Sequence, residues 1–218
     1  SSLDFVLSSG DKIVAANSIT LTSQTYSYSA FIKSRSTTGN AQRLILGTNF
    51  DIFIGGTNAI TVGHTQNNTS TENNAFDKNM WMHILITWDK SNLRVYRNGG
   101  IFSTLAKTNA PSGSGVPQLG TYLTNTFDGR MQEVRFYINR VLTDLEAVFL
   151  SQGGDLDTTN LSFYYKMDEG TGSTVADSSG NGNTGTITGA TWSTDTTINN
   201  PTRLVSGTRT LAGARTAV

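Results

Sequence analysis

The chain of 218 residues contains no cysteine, three prolines and two histidines. Without cysteine, a disulfide framework, a thiolate metal site and a cysteine nucleophile are all excluded. With only His64 and His83, a histidine-centred zinc site or catalytic triad is poorly supported. Sixteen basic and sixteen acidic residues cancel, so we expect no general electrostatic attraction to nucleic acid or to an anionic membrane.

Long apolar runs are also missing, since the longest are only a few residues and a membrane-spanning helix needs roughly 20. Ser1 begins no charged and hydrophobic signal segment, and we expect no membrane insertion. The 22 glycines, the few charges and the abundant Ser, Thr and Asn are common in proteins that work outside cells. These features predict an extracellular, cell-surface or virion-surface location, and the lack of cysteine favours a bacterial or viral source.

Short apolar runs that alternate with polar residues are the dominant positive signal, as in "LDFV", "KIVA", "RLIL" and "HILITW". They predict an all-β protein with two antiparallel sheets. In "VYRNGGIF", Asn98-Gly99 supplies the two positive-φ positions of a type I′ hairpin turn. In "TDLEAVFLSQGG", Thr143 and Glu146 form a capping-box pattern that predicts one short helix over about residues 144–151.

Three stretches together resemble the laminin-G-like, or concanavalin-A-like, jelly-roll lectin family. They are "LDFVLSSGDKIVAA", "WMHILITWDKSNLRVYRNGG" and "FDGRMQEVRFYINRVLTDLEAVFL", and they span residues 3–150 in the family's order. The resemblance implies a jelly-roll β-sandwich. A fourth stretch, "FYYKMDEGTGSTVADSSGNGNTGTITGATW", is similar to an element that precedes the other three in many relatives.

The position of this fourth element allows two interpretations. Residues 161–192 could begin a second copy of the domain, but a lone hairpin is marginal in water. Alternatively they close the first sandwich, which makes the domain circularly permuted and leaves no strand edge unpaired. We favour closure, with insertion into a neighbouring subunit as a variant.

The predicted organisation follows from closure. A domain covers residues 1–192, with a main sandwich at 1–150, a connector at 151–160 and a closing hairpin at 161–192. Residues 193–218 form an extended tail or linker that carries Arg203, Arg209 and Arg215.

Catalysis is not expected, although jelly-roll relatives include glycoside hydrolases. Retaining hydrolysis needs two carboxyl groups about 5 Å apart, and the hydrolases of this fold carry "E-x-D-x-x-E" on one strand. That string is absent, and the nearest acids, Asp128 and Glu133, have an odd spacing that places them on opposite faces of a strand.

The segment "ADSSGNGN" is a candidate calcium loop because glycines let several oxygens turn toward one point. Asp177 would supply charge, and Asn181 and Asn183 would supply amide oxygens. The resemblance adds that relatives often place an ion near this loop with help from an acid, whose position is Gln132 here. The alternative is a turn held by Asx hydrogen bonds without calcium.

Two polar segments are candidates for carbohydrate binding, which uses aromatic faces, amides and carboxylates. "GHTQNNTSTENN" offers His64, Gln66, Asn68, Glu72 and Asn74, and "GTYLTN" offers Tyr122 and Asn125. Solvated loops without a ligand are the alternative.

The sequence therefore predicts a non-catalytic, lectin-like module that recognises carbohydrate or a surface glycoconjugate, in adhesion or on a virion surface. The alternative is a structural module, such as a virion decoration or fibre component. Its hairpin and its tail, residues 193–218, would join subunits into a homo-oligomer or a larger assembly.

Overall fold

A computed structural model of the protein describes residues 1–7, 10–35, 41–65, 67–71, 73–121 and 125–196. The only helix in these ranges is α1 (Asp144–Ser151). The strands are β1 (Ser2–Phe5), β2 (Lys12–Ala15), β3 (Ile19–Thr20), β4 (Tyr26–Ser34), β5 (Gln42–Gly47), β6 (Phe50–Ile54), β7 (Ile60–His64), β8 (Asn67–Ser70), β9 (Met82–Trp88), β10 (Asn92–Arg97), β11 (Gly100–Ala106), β12 (Ser114–Gly115), β13 (Gln118–Leu119), β14 (Gly129–Ile138), β15 (Leu161–Tyr165), β16 (Thr174–Val175), β17 (Gly185–Thr188) and β18 (Thr191–Ser193).

The strands form two large antiparallel sheets that face each other. Sheet A has the order β11-β10-β9-β4-β14-β1-β18, and β15 also pairs with β14. Sheet B has the order β16-β17-β2-β13-β5-β6-β7-β8, and β3 pairs with β12 in a small separate ladder. The predicted all-β, two-sheet jelly-roll sandwich is confirmed. The described ranges contain no candidate membrane-spanning helix, since α1 has only eight residues.

The core lies between the sheets and is rich in aromatic rings. Tyr26 of sheet A stacks on Trp88 and Phe136, with ring centroids 6.0 Å apart in each pair, and meets Phe50 of sheet B edge-on at 5.0 Å. Edge-on and offset contacts of this kind stabilise a core beyond the area that they bury. The Trp88 indole N–H donates to the Lys107 carbonyl over 2.7 Å, which satisfies the buried polar atom.

Helix α1 covers the outer face of sheet A. Ala147 and Leu150 of the helix pack with Leu85, Tyr96 and Tyr137 of the sheet in a second apolar cluster. The helix therefore contributes to the burial of β9, in which every residue is buried although its apolar side chains point to both faces.

The predicted ends of α1 and the predicted hairpin turn are both confirmed. The Thr143 side chain accepts from the Glu146 N–H while the Glu146 side chain accepts from the Thr143 N–H, which is the capping box expected from the sequence. Asn98 and Gly99 have φ values of 50° and 87°, and they join β10 to β11.

The C-terminal strands divide between the two sheets rather than forming one hairpin. β15 pairs with Val134–Tyr137 of β14, on the edge where β1 pairs with Gly129–Met131. β17 pairs with β2 in sheet B, and β18 pairs with β1 in sheet A. Residues 161–193 therefore bridge both sheets of their own chain, while circular permutation relative to other proteins stays a prediction.

The first residues of the predicted tail are held against the outer face of sheet A. The Asp195 carboxylate accepts from Lys33 Nζ at 2.7 Å, from Trp81 Nε1 at 2.9 Å and from Arg130 Nη1 at 2.5 Å. Residues 197–218, with Arg203, Arg209 and Arg215, lie outside the described residues.

Candidate functional site

The outer face of sheet B carries a row of residues that are exposed or half-buried, apart from the buried Gly63. The strand register places one residue from each of the eight strands side by side, and we call them the sheet-B row. In order, they are Thr174, Thr186, Val14, Gln118, Leu46, Asp51, Gly63 and Asn68. With strands about 4.8 Å apart, the row is about 34 Å long.

Strand alternation explains how this row forms. In β6, "FDIFI", Phe50, Ile52 and Ile54 are buried in the core, while Asp51 and Phe53 point to the other face. The same alternation brings Gly63 of β7 and Asn68 of β8 beside Asp51.

A cavity of about 420 Å³ opens at this end of the row. Its lining includes Leu46, Asn49, Asp51, Gly63 and Asn68. A side chain at Gly63 would clash with the polar lining of this cavity, because a Cβ there would overlap Asp51 Oδ1 and lie 2.8 Å from Asn68 Oδ1. Glycine therefore lets a carboxylate and an amide meet above β7. The volume is within the range of small-molecule sites.

The Asp51 carboxylate is partly desolvated and paired with a cation. Arg43 Nη2 lies 3.1 Å from Asp51 Oδ2, and the Arg43 guanidinium stacks 4.1 Å from the centre of the Phe53 ring. Burial raises the pKa of Asp51, although Arg43, the Gly63 N–H and Lys107 each lower it. A fixed carboxylate next to planar amides can accept and donate hydrogen bonds to neighbouring hydroxyl groups of a sugar.

Of the residues predicted to bind carbohydrate, Asn68 lies at this cavity and is exposed. The segment "GHTQNNTSTENN" includes the paired strands β7 and β8, so part of it is regular sheet rather than a long surface loop. Gln66 and Glu72 lie outside the described residues, and so does Tyr122.

The prediction that His64 faces a ligand is wrong, because its side chain is fully buried. Its Nε2 lies 2.8 Å from the Tyr26 hydroxyl, and its Nδ1 lies 2.8 Å from the Asn109 carbonyl, to which it can only donate. Burial lowers the pKa of His64 to about 4, so the ring is neutral at pH 7. In the sequence, the polar residues after β7 concealed the fact that His64 occupies an inward-facing position of this strand.

Asn74 and Asn125 do not line the cavity. Asn74 is exposed, its backbone N–H donates to the Thr57 carbonyl, and its own carbonyl accepts from Arg97 at 3.2 Å. Asn125 is half-buried in the segment before β14. The two predicted polar segments therefore do not meet in one site through these residues.

The "ADSSGNGN" loop is organised by hydrogen bonds to Asp177. Its Oδ1 accepts from the Tyr164 and Ser179 N–H groups, and its Oδ2 accepts from the Ser179 hydroxyl and the Asn183 N–H. The Asn181 amide donates to the Leu161 carbonyl at 2.6 Å. These contacts are those of an Asx turn that ties the loop to β15.

The donor set at this loop does not fit a calcium ion. Ca²⁺ takes six to eight oxygens with several charges among them, whereas the Asp177 oxygens are occupied by hydrogen-bond donors. Asn183 Oδ1 is buried without a hydrogen-bond partner, but it is one neutral oxygen. Gln132 is buried in β14. In the described part of the chain, no group of three or more His, Asp or Glu is placed so that it could hold a metal ion, and calcium binding stays an untested prediction.

The carboxylates considered for catalysis are committed to ion pairs. Asp128 Oδ1 accepts from Arg35 Nε at 2.9 Å, and Glu133 Oε2 accepts from Arg135 Nη2 at 2.9 Å. Arg135 is almost fully buried and also binds Asp155, a partner that sequence reasoning missed. Asp155 therefore ties the connector to β14 through Arg135, while Asp128 holds Arg35 beside the start of β14.

A two-sheet jelly roll with an exposed polar sheet face defines this protein as a concanavalin-A-like β-sandwich. The chain belongs to the concanavalin A-like lectin/glucanases superfamily, whose Laminin_G_3 family model matches residues 7–148. No curated protein matches the sequence significantly.

Solved structures share the fold at low sequence identity. A candidate carbohydrate-binding protein from Bacteroides ovatus is 18% identical with a TM-score of 0.68, and the alignment covers 87% of this chain and 58% of that one. A pentraxin from Limulus polyphemus is 11% identical with a TM-score of 0.56, covering 69% and 81%. Domain 4 of a Geobacillus stearothermophilus arabinanase, solved with arabinotriose, is 19% identical with a TM-score of 0.50, covering 61% and 68%.

Proposed function

We propose that this protein is a non-catalytic, lectin-like module that binds a carbohydrate on the outer face of sheet B. The observation that carries the proposal is the cavity at Asp51, Gly63 and Asn68, where an anionic and an amide side chain converge over a glycine. The description of the Bacteroides protein as carbohydrate-binding and the arabinotriose bound to the arabinanase domain support carbohydrate as the ligand class.

The chemistry of the face favours a neutral glycan. Asp51 is already paired with Arg43, so the two charges offset each other, and the remaining polar groups are amides and hydroxyls. Amides and hydroxyls recognise sugar hydroxyls by hydrogen bonding. Val14 and Leu46 supply half-buried apolar surface for the C–H side of a pyranose.

The length of the sheet-B row favours a linear oligosaccharide over a single sugar. The row crosses all eight strands, and the cavity occupies only its end at β5–β8. A chain that lies along the row can contact Thr174, Thr186 and Gln118 as well as the cavity. We therefore infer that affinity rises with chain length.

The ion pairs made by the acids support a binding role without catalysis. Asp128 and Glu133 are held by arginines, and Asp51 has an arginine partner at the cavity rather than a second carboxylate. Glycoside hydrolysis needs a pair of carboxyl groups across the scissile bond. A glycan-binding module of this kind would work at an extracellular or surface location, where its ligands are exposed.

A glycan array with the intact protein tests this proposal, with Gly63→Ala as the site variant and Gly55→Ala as its control. Both glycines belong to the β6–β7 region, but a Cβ at Gly55 would make only ordinary contacts, the nearest at 3.6 Å to Thr61 Oγ1. We expect the native chain and Gly55→Ala to bind the same neutral glycans and Gly63→Ala to lose them. Equal binding by both variants would mean that the ligand binds at another site. The absence of glycan binding by folded native protein would reject the proposal.

The assembly role remains the second candidate, as a decoration or fibre component. Strands β15, β17 and β18 already pair within their own chain. If the C-terminus joins subunits, residues 197–218 would therefore have to make the contact. Removing those residues should then cause an oligomer to dissociate or abolish docking to a larger assembly, as measured by light scattering.

A further inference from the structure

Lys107, which directly follows β11, connects the two sheets. Its backbone N–H donates to the Ser91 carbonyl at 2.8 Å, and its carbonyl accepts from the Trp88 indole at 2.7 Å, so its backbone is fixed to the β9–β10 end of sheet A. Its Nζ reaches sheet B, where it donates to the Asn67 carbonyl at 2.9 Å and to Thr69 Oγ1 at 3.1 Å. One side chain therefore ties β8 of sheet B to sheet A.

This lysine is buried, which is unusual for a lysine. Lys107 is 2% exposed, and a buried ammonium group costs free energy unless hydrogen bonds compensate for the water that it loses. Its two acceptors in β8 supply part of that compensation. A hydrogen bond from a charged donor is roughly twice as strong as one between neutral groups. The contact between Lys107 and β8 therefore depends on the ammonium charge.

The two acceptors lie on either side of Asn68, the amide of the candidate site. Neighbouring residues of a strand point to opposite faces, so Thr69 turns toward Lys107 while Asn68 lines the cavity. β8 has four residues and is the last strand of sheet B in the described ranges. The residue opposite Asn68 in β7 is Gly63, which has no side chain to support the amide. The position of Asn68 therefore depends on what holds the backbone of β8.

We propose that Lys107 is a positioning residue of the sheet-B site, and that its ammonium group holds β8 so that Asn68 stays at the cavity. The proposal rests on the carbohydrate-binding function proposed above and adds a regulation of the same site by pH. Because Lys107 is buried, it acts through β8 and does not contact a ligand. Loss of its charge should loosen β8 and weaken glycan binding.

The charge of Lys107 changes close to neutral pH. Burial lowers the pKa of Lys107 from 10.5 to about 8, although Asp51 raises it. Among the described residues, the titratable groups that face Lys107 are Asp51 and His64. Between pH 7 and 9, Asp51 stays ionised beside Arg43, and His64, whose pKa burial lowers to about 4, stays neutral. Glycan affinity should therefore be highest below pH 8 and fall as the pH rises through 8.

An NMR titration of the full chain from pH 6 to 10 tests the link between Lys107 and Asn68 without a ligand. The Lys107 Nζ resonance and the Asn68 side-chain amide should shift together with a midpoint at about pH 8. The Asn68 shift should disappear in Lys107→Met, which removes the charge, and persist in the control Lys78→Met at an exposed lysine. An Asn68 amide that does not change between pH 7 and 9, or that still titrates in Lys107→Met, would overturn the proposal.

Arrays of neutral oligosaccharides, probed at pH 7 and pH 9 over a protein concentration series, test the effect on binding. The native chain and Lys78→Met should bind about 2- to 13-fold more weakly at pH 9, the effect of losing one hydrogen bond. Lys107→Met should bind weakly at both pH values, and Lys107→Arg, which keeps its charge, should bind equally at both. Equal binding by the native chain at pH 7 and 9 would reject the regulation alone. No binding at either pH by folded native protein would reject the carbohydrate function as well.

Discussion

Removing the C-terminal strands should unfold the sandwich. A chain cut after Gly154 loses Phe163, Tyr165, Met167 and Val175, each of which is fully buried. Burying one such side chain contributes about 1.5–3 kcal/mol, so the four together contribute roughly 6–12 kcal/mol. A typical domain has about 5–15 kcal/mol of net stability. The fragment also leaves the edges of β2 and β14 without partners, so it should aggregate.

The matched control is a chain cut after Thr196, which keeps β15–β18 and the Asp195 contacts with Lys33, Trp81 and Arg130. Both proteins are compared by thermal unfolding and by size-exclusion chromatography. We expect the longer chain to unfold cooperatively near the native Tm and the shorter chain to show no cooperative transition. A shorter chain that melts at the native Tm would refute the role of these strands in closure.

A point substitution gives a graded version of the same test. Phe163 stacks between Phe136 at 5.8 Å and Tyr165 at 4.8 Å. Phe163→Ala should cost about 3–5 kcal/mol, which for a domain of this size lowers Tm by about 6–20 °C. A Tm within a degree of native would contradict the packing described for β15.

Two further predictions concern pH and calcium. Burial lowers the pKa of His64 to about 4 and that of His83 to about 3, against 6.5 when exposed, so folding favours the neutral rings. Their contribution to stability is therefore complete above pH 6.5 and declines as the pH falls toward 4. Urea unfolding should show this decline in the free energy of unfolding. A free energy of unfolding that stays constant from pH 7 to 4.5 would contradict the prediction. Because the Asp177 oxygens already accept four hydrogen bonds, millimolar calcium should leave Tm unchanged. A reproducible rise in Tm that a chelator reverses would instead support the calcium prediction.

Local signals in the sequence were sufficient for much of the fold. The capping box at Thr143 and the Asn98-Gly99 turn depend on neighbouring residues only, and both have the predicted geometry. The two-sheet sandwich followed from alternation and from the family resemblance. The division of residues 161–193 between both sheets could not be read in the same way, because strand partners distant in sequence are chosen by tertiary packing.

The candidate site was only partly predictable, because its residues are brought together by the pairing register of strands β5 to β8. Asn68 was identified from its polar segment, whereas Asp51 and Gly63 were missed because they lie in strands that read as apolar. Asp51 was nevertheless detectable as the charged outward position in "FDIFI". His64 gave the opposite error, because its polar neighbours concealed its inward position in β7.

The most direct test of the sheet-B site is a calorimetric titration with a glycan selected on the array, using Asn68→Ala and Asn74→Ala. Both positions are exposed asparagines, and only Asn68 lines the cavity. Losing a hydrogen bond to a ligand costs about 0.5–1.5 kcal/mol, which weakens binding roughly 2- to 13-fold. We predict this loss for Asn68→Ala and native affinity for Asn74→Ala. Native affinity in Asn68→Ala, or a loss confined to Asn74→Ala, would contradict a carbohydrate site on the outer face of sheet B.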